Sequence, residues 1–204
     1  MKRLSLIIVS LLLSAVVLAQ PKSVTKFLGI PVDGSKAEMI QKLKDKGYTY
    51  NSQLDCLEGE FNGRDVLICV VTNNNKVYRI FVKDANSSSE SDIKIRFNNL
   101  CRQFAENKRY FPVKADYISD EEDISYEMTV HNKRYQASYY QYDVEELTEK
   151  LAACDEASED AVKTSFVENA MNRSVWFMID DNYGRYCILM FYDNAYNQAN
   201  GDDL

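Results

Sequence analysis

Two asparagine-centred turn signals inside an apolar run constrain this chain more than any other feature. Asn62-Gly63 and Asn73-Asn74-Asn75 interrupt the Val-, Ile- and Phe-rich stretch from Leu57 to Val82, which reads as a three-stranded antiparallel meander. A two-residue loop at Asn62-Gly63 sets Leu57 opposite Ile68 and Gly59 opposite Val66. A three-residue loop over Asn73 to Asn75 sets Val66, Ile68 and Val70 opposite Val82, Ile80 and Tyr78. Slipping that register by one would oppose them with Lys83, Phe81 and Arg79, so the apolar match selects the three-residue loop.

Helices flank the meander. Ser35 and Glu38 form an S-x-x-E capping box, Ala37, Ile40 and Leu43 give the helical stripe, and Gly47 ends it. A second helix is expected from about Asp92 to Glu106, with Ile93, Phe97, Leu100 and Phe104 inward and Ser91 or Ser89 as cap. Residues 107–123, with Pro112 and the acidic run Asp120 to Asp123, read as a module boundary. Beyond it, Ile124–His131 and Arg134–Tyr142 read as a hairpin around Asn132-Lys133, with Val130, Met128 and Tyr126 facing Tyr135, Ala137 and Tyr139. Asp143 with Glu146 opens a helix carrying Val144, Leu147 and Leu151. Ser158 opens another, carrying Val162, Phe166 and Met171. A last hairpin, Val175–Ile179 with Tyr186–Tyr192, is apolar on both faces, as central strands are. The expected class is α+β: antiparallel sheets packed with amphipathic helices in two related α/β modules, residues 20–112 and 113–204.

The first residues read as an address. Lys2 and Arg3 precede the apolar run Leu4–Leu18, and Val17-Leu18-Ala19 offers small residues for cleavage before Gln20. The run is short of the roughly 20 residues that span a bilayer, and no second apolar run follows. The expectation is a signal peptide, residues 1–19, cleaved after Ala19, leaving a periplasmic or extracellular protein without a transmembrane segment. Charge is uneven. Residues 20–112 carry 15 basic and 11 acidic side chains, while residues 113–204 carry 7 and 20. A chain so acidic repels phosphate, which argues against nucleic acid as a partner.

The same register that fixes the first hairpin places Cys56 opposite Cys69, at the short end of disulfide geometry. The pair is therefore either a cross-strand disulfide or two small apolar neighbours. Cys101, Cys154 and Cys187 read as buried thiols. His131, the single histidine, falls beside the Asn132-Lys133 turn on a polar face, which leaves histidine-centred zinc and Ser-His chemistry without support. No catalytic set, metal site or cofactor is called for: Glu145-Glu146 reads as a helix face, and Asp180-Asp181-Asn182-Tyr183-Gly184 as a turn lacking the spacing of a calcium loop. Ten of the fourteen tyrosines follow residue 113. Tyr140 and Tyr142, pointing away from Tyr135 and Tyr139, are the candidate contact residues for an unknown protein or glycan partner.

The segment Phe27-Leu28-Gly29-Ile30-Pro31-Val32-Asp33-Gly34-Ser35-Lys36 with Glu38-Met39-Ile40, the Phe61-Asn62-Gly63 turn and the closing Tyr192-Asp193-Asn194, Asn197 and Asn200 to Leu204 resemble uncharacterised exported proteins of gut Bacteroidetes. Gly34-Ser35 before a helix and a meander is more distantly similar to the repeat of beta-lactamase inhibitory proteins and small outer-membrane assembly lipoproteins. Their helix start carries a Met that this chain lacks, so no binding residue carries over. Together these features imply an exported, non-enzymatic binding or inhibitory module. The alternative is a small hydrolase using paired carboxylates.

Overall fold

The structure, a computed structural model, describes residues 23–153 and 158–199. The expected leader and Cys154 therefore lie outside the described residues. Its centre is one antiparallel sheet of eight strands: β3 (Thr49–Asn51), β4 (Cys56–Phe61), β5 (Arg64–Asn73), β6 (Lys76–Asp84), β7 (Tyr110–Ala115), β8 (Gln136–Gln141), β9 (Ser174–Asp181) and β10 (Tyr186–Asp193). Their spatial order is β3-β4-β5-β6-β10-β9-β8-β7. A small hairpin, β1 (Lys26–Phe27) with β2 (Ile30–Pro31), stands apart. The fold is α+β with antiparallel sheets.

The helices are α1 (Lys36–Asp45), α2 (Glu90–Glu106), α3 (Ile124–Val130), α4 (Val144–Ala153) and α5 (Glu159–Met171). Both halves of the capping box form on α1: Ser35 Oγ accepts from the Glu38 N–H, and the Glu38 carboxylate accepts from the Ser35 N–H. Met39 and Leu43 of α1, and Ile93, Phe97, Leu100 and Phe104 of α2, join the core strands in one apolar cluster. The polar anchor of that layer is Arg96, which donates two hydrogen bonds to Asp84 at 2.7 and 2.6 Å with both side chains buried.

Chain order explains the sheet. After β6 the chain crosses along α2 to the far edge, lays down β7, and then returns inward through β8, β9 and β10 until β10 pairs with β6. β10 thus lies in the interior, which suits its apolar residues on both faces. The strands of residues 20–112 and 113–204 share this one sheet, and β7 runs across residue 112.

Three readings are corrected. The loop after β5 has two residues, Asn74 and Asn75, both in the left-handed conformation of a type I′ turn, and a bulge between Val71 and Thr72 adds a further step of one, so that beyond it the register differs from the expected one by two. Ile68 therefore faces Val82 and Val70 faces Ile80; an even shift keeps the same residues in the core. Second, residues 124–130 form a helix, not a strand. Asp123 caps it by accepting from the Tyr126 N–H, and Ile124 and Met128, one turn apart, reach the core. β8 pairs instead with β7 and β9. Third, Met171 is exposed: α5 turns Phe166 inward as expected, with Val162 half-buried, and Ala170, one turn beyond Phe166, takes the buried place expected for Met171.

Candidate functional site

A cleft of about 1050 Å³ opens on the helix side of the sheet. Its walls come from six places in the sequence: the β1–β2 hairpin, Tyr48 with the end of β4, the last turn of α2 with the connection to β7, the β8–α4 junction, Arg173, and Met190 with Tyr192 on β10. Each wall has a local cause. The hairpin turns through Leu28 and Gly29, both at positive φ, and Gln141 clamps it to the end of β8: its amide oxygen accepts from the Lys26 N–H at 2.6 Å and its NH₂ donates to the Lys26 carbonyl at 2.9 Å. Tyr48 lies flat across Gly59, where a Cβ would come within 2.6 Å of the ring, and its hydroxyl donates to the Glu60 carbonyl at 3.0 Å.

Aromatic rings make the interior. Phe104 stands edge-on to Tyr110 at 4.7 Å and stacks on Tyr139 at 4.6 Å, while Tyr192 packs against Phe27 at 4.8 Å. The phenols stay neutral. Burial raises Tyr192 well above its ordinary value, with Tyr110 beside it adding to the effect, and burial raises Tyr110 and Tyr48 as well. Four side-chain amides, Asn62, Gln103, Asn107 and Gln141, complete the polar lining.

The charge on the walls opposes that of the chain. Lys26, Lys108, Arg109 and Arg173 line the cleft against two carboxylates, Glu60 and Asp143, whereas the whole chain carries a formal charge of −7. Lys26 and Asp143 are 3.8 Å apart. Arg173 is buried and donates to Ser23 Oγ at 2.9 Å. Lys108 and Arg109 are exposed, and no carboxylate among the described residues lies within 4.0 Å of either cationic head.

The opposite face of the sheet is aromatic too. Register aligns Cys56, Cys69, Phe81, Phe191, Trp176 and Ser138 in one row across six strands. Trp176 stacks on Phe191 at 3.9 Å and Phe191 on Phe81 at 5.1 Å. Arg79 lies over Phe191 at 5.0 Å and is held by Asp193, which also accepts from the Trp176 indole at 2.9 Å.

The candidate contact residues separate. Tyr142 is half-buried, lines the cleft and meets Phe166 edge-on at 6.1 Å. Tyr140, also half-buried, belongs to the opposite face beside Phe111 and Ser174. Cys56 and Cys69 face each other in register, joined as a disulfide with Cα atoms 4.4 Å apart. Cys101 and Cys187 are buried free thiols. His131 is exposed and ends α3, its Nδ1 3.0 Å from Glu127, rather than flanking a hairpin turn. The Asp181 to Gly184 segment is a turn in which Asp181 accepts from the Gly184 N–H. Among the described residues no helix is long and apolar enough to cross a membrane, and no group of three His, Cys, Asp or Glu is placed to hold a metal.

Sequence reasoning missed Lys108, Arg109 and the amides because the cleft joins residues from 24 to 192 with no local motif. No family model, no curated protein and no solved structure matches the chain.

Proposed function

We propose that this chain is an exported, non-enzymatic binding module that holds a saccharide chain in the cleft. The observation that carries the reading is the combination lining one concavity: flat aromatic rings beside side-chain amides and neutral phenols. Sugars present apolar C–H faces and dense hydroxyls, which such walls match by stacking and by paired donors and acceptors. The cleft's volume fits several sugar rings. Export rests on the Lys2 to Ala19 leader pattern and on the resemblance to exported proteins. It is tested by the intact mass of the secreted chain, expected to begin at Gln20.

Binding is tested by titrating the mature chain with a panel of neutral and acidic oligosaccharides while following amide chemical shifts. Perturbations are expected at Tyr110, Tyr142 and Gln141, and Tyr142→Ser should weaken binding while the fold signal persists. Shifts confined to the Trp176 face would move the site to the other side of the sheet. A second reading has one observation behind it: Glu60 and Asp143 share the cleft. A hydrolase would use them as a carboxyl pair, and release of new reducing ends, lost in Glu60→Gln, would replace the binding reading with it.

A further inference from the structure

We infer that the cleft selects a carboxylate-bearing oligosaccharide, of the uronic-acid type, over its neutral counterpart; this rests on the saccharide reading above. The first argument is charge placement. In a chain that is acidic overall, four cationic side chains converge on one cleft with two carboxylates among them. Low-dielectric walls concentrate such a field in a concavity and draw anions to it. Asp143 is accompanied by Lys26 at 3.8 Å, so part of the negative charge on the wall is already neutralised from within.

The second argument is which cations remain available. Lys108 and Arg109 follow the last turn of α2 at the rim, are exposed, and have no carboxylate of the described residues within ion-pair distance. A guanidinium fork suits a planar carboxylate, and a lysine beside it adds a mobile point charge. Arg173 adds a buried cation to the same wall. Charged rim and aromatic interior are contiguous: Phe104, Tyr110 and Tyr142 lie with Lys108 and Arg109 on one lining. A sugar stacked on those rings would present its ring substituents to the cations.

A third observation separates a saccharide from an acidic peptide. The strand that borders the cleft, β7, is a sheet edge, the usual template for an extended peptide. Here that edge carries Pro112 and a register break between Pro112 and Lys114. Both interrupt the ladder that strand addition needs. A saccharide makes no such ladder.

The test uses the mature chain with two probes of equal length, a galacturonic-acid trimer and the matching galactose trimer, by calorimetric titration at two salt concentrations. The expected result is about tenfold tighter binding of the acidic trimer, weakening as salt rises. That preference should disappear in Lys108→Gln/Arg109→Gln while affinity for the neutral trimer is unchanged. The paired control Lys42→Gln/Lys44→Gln, on the exposed side of α1, should retain it. Equal affinity for both trimers, or a preference that survives in the rim variant, overturns the charge inference and leaves the saccharide site standing. Binding of neither trimer overturns both readings, and binding with amide shifts outside the cleft does the same.

Discussion

Replacing Arg96 by Met should be among the most damaging single changes to this fold, and the size of the loss follows from its geometry. The guanidinium of Arg96 on α2 meets the Asp84 carboxylate at the end of β6 through two bonds of 2.7 and 2.6 Å, and Asp84 also accepts from the Ile188 N–H of β10 at 3.2 Å. Both charged side chains are under 10% exposed, at 9% and 6%. Met fills much of the same space, so the cavity contribution is small. What remains is a buried carboxylate with one backbone donor, and breaking a buried pair from one side costs about 3–5 kcal/mol. For a chain of this size that corresponds to a fall in melting temperature of about 6–20 °C. Urea denaturation of wild type and variant measures it directly, with the slope unchanged if the folded state keeps its compactness. The double variant Arg96→Met/Asp84→Leu should recover most of the loss, leaving about 1 kcal/mol for the stranded Ile188 N–H. A single variant within about 1 kcal/mol of wild type, or a double variant as unstable as the single, would refute the claim that an unpaired buried charge is the cause.

Reducing the Cys56–Cys69 bond, which closes a loop with a sequence separation of 13, should cost at most about 3 kcal/mol by the chain-entropy relation. Denaturation with and without reductant measures it, and Cys56→Ser/Cys69→Ser should match the reduced protein. Alkaline pH should destabilise the fold: burial raises Cys101 and Cys187 from 9.0 to about 11, and burial also pushes Tyr139 and Tyr192 upward. These groups hold their protons more tightly folded than unfolded. Their contribution is therefore complete at neutral pH and is lost progressively between about pH 9 and 11. Unfolding free energy should be flat from pH 7 to 8.5 and fall beyond, and an unchanged value at pH 10.5 would contradict the assignment. Trp176→Ala removes the ring stacked at 3.9 Å on Phe191 and the indole hydrogen bond to Asp193, whose two oxygens keep their bonds from Arg79; a loss of about 2–4 kcal/mol is expected from a half-buried aromatic. A loss below about 0.5 kcal/mol would show that the row is held for contact rather than for the fold.

Which parts of the fold were legible in the sequence depended on whether local and tertiary forces agreed. At Ser35 and Glu38 the cap is a contact between residues three apart, and at Asn62-Gly63 the turn alone fixes the register that puts Cys56 beside Cys69. The both-faced apolarity of Tyr186–Tyr192 likewise marked an interior strand, since no edge strand tolerates it. Residues 124–130 failed because Ile-Ser-Tyr-Glu-Met-Thr-Val alternates at period two, and that pattern outweighs the weaker helical signals of the Asp123 cap and the Ile124–Met128 spacing. Asn132 at positive φ looks like a hairpin turn in either case. The pairing partner that β8 needed lay in Tyr110–Ala115, concealed by Pro112, which a central strand would not accept but an edge strand with a bulge does.

The cleft was illegible for a related reason. It exists because the chain, having crossed along α2, starts β7 at the sheet's far edge, so the last turn of α2, the hairpin at residues 26–31 and the end of β8 meet around a gap that helix packing leaves open. None of those segments is unusual by itself. Lys108 and Arg109 in sequence are two basic residues in a loop, the commonest of surface features. Only the topology sets them on the same lining as Arg173 and the rings of Phe104, Tyr110 and Tyr142. With the strand expected to run through Tyr142, the period-two rule sets Tyr140 and Tyr142 together on the face away from Tyr135 and Tyr139. Two residues apart, both on the same expected face, they end on different surfaces because β8 stops at Gln141 and the chain turns toward α4. A pattern rule holds only while the strand does, and binding sites gather where strands stop.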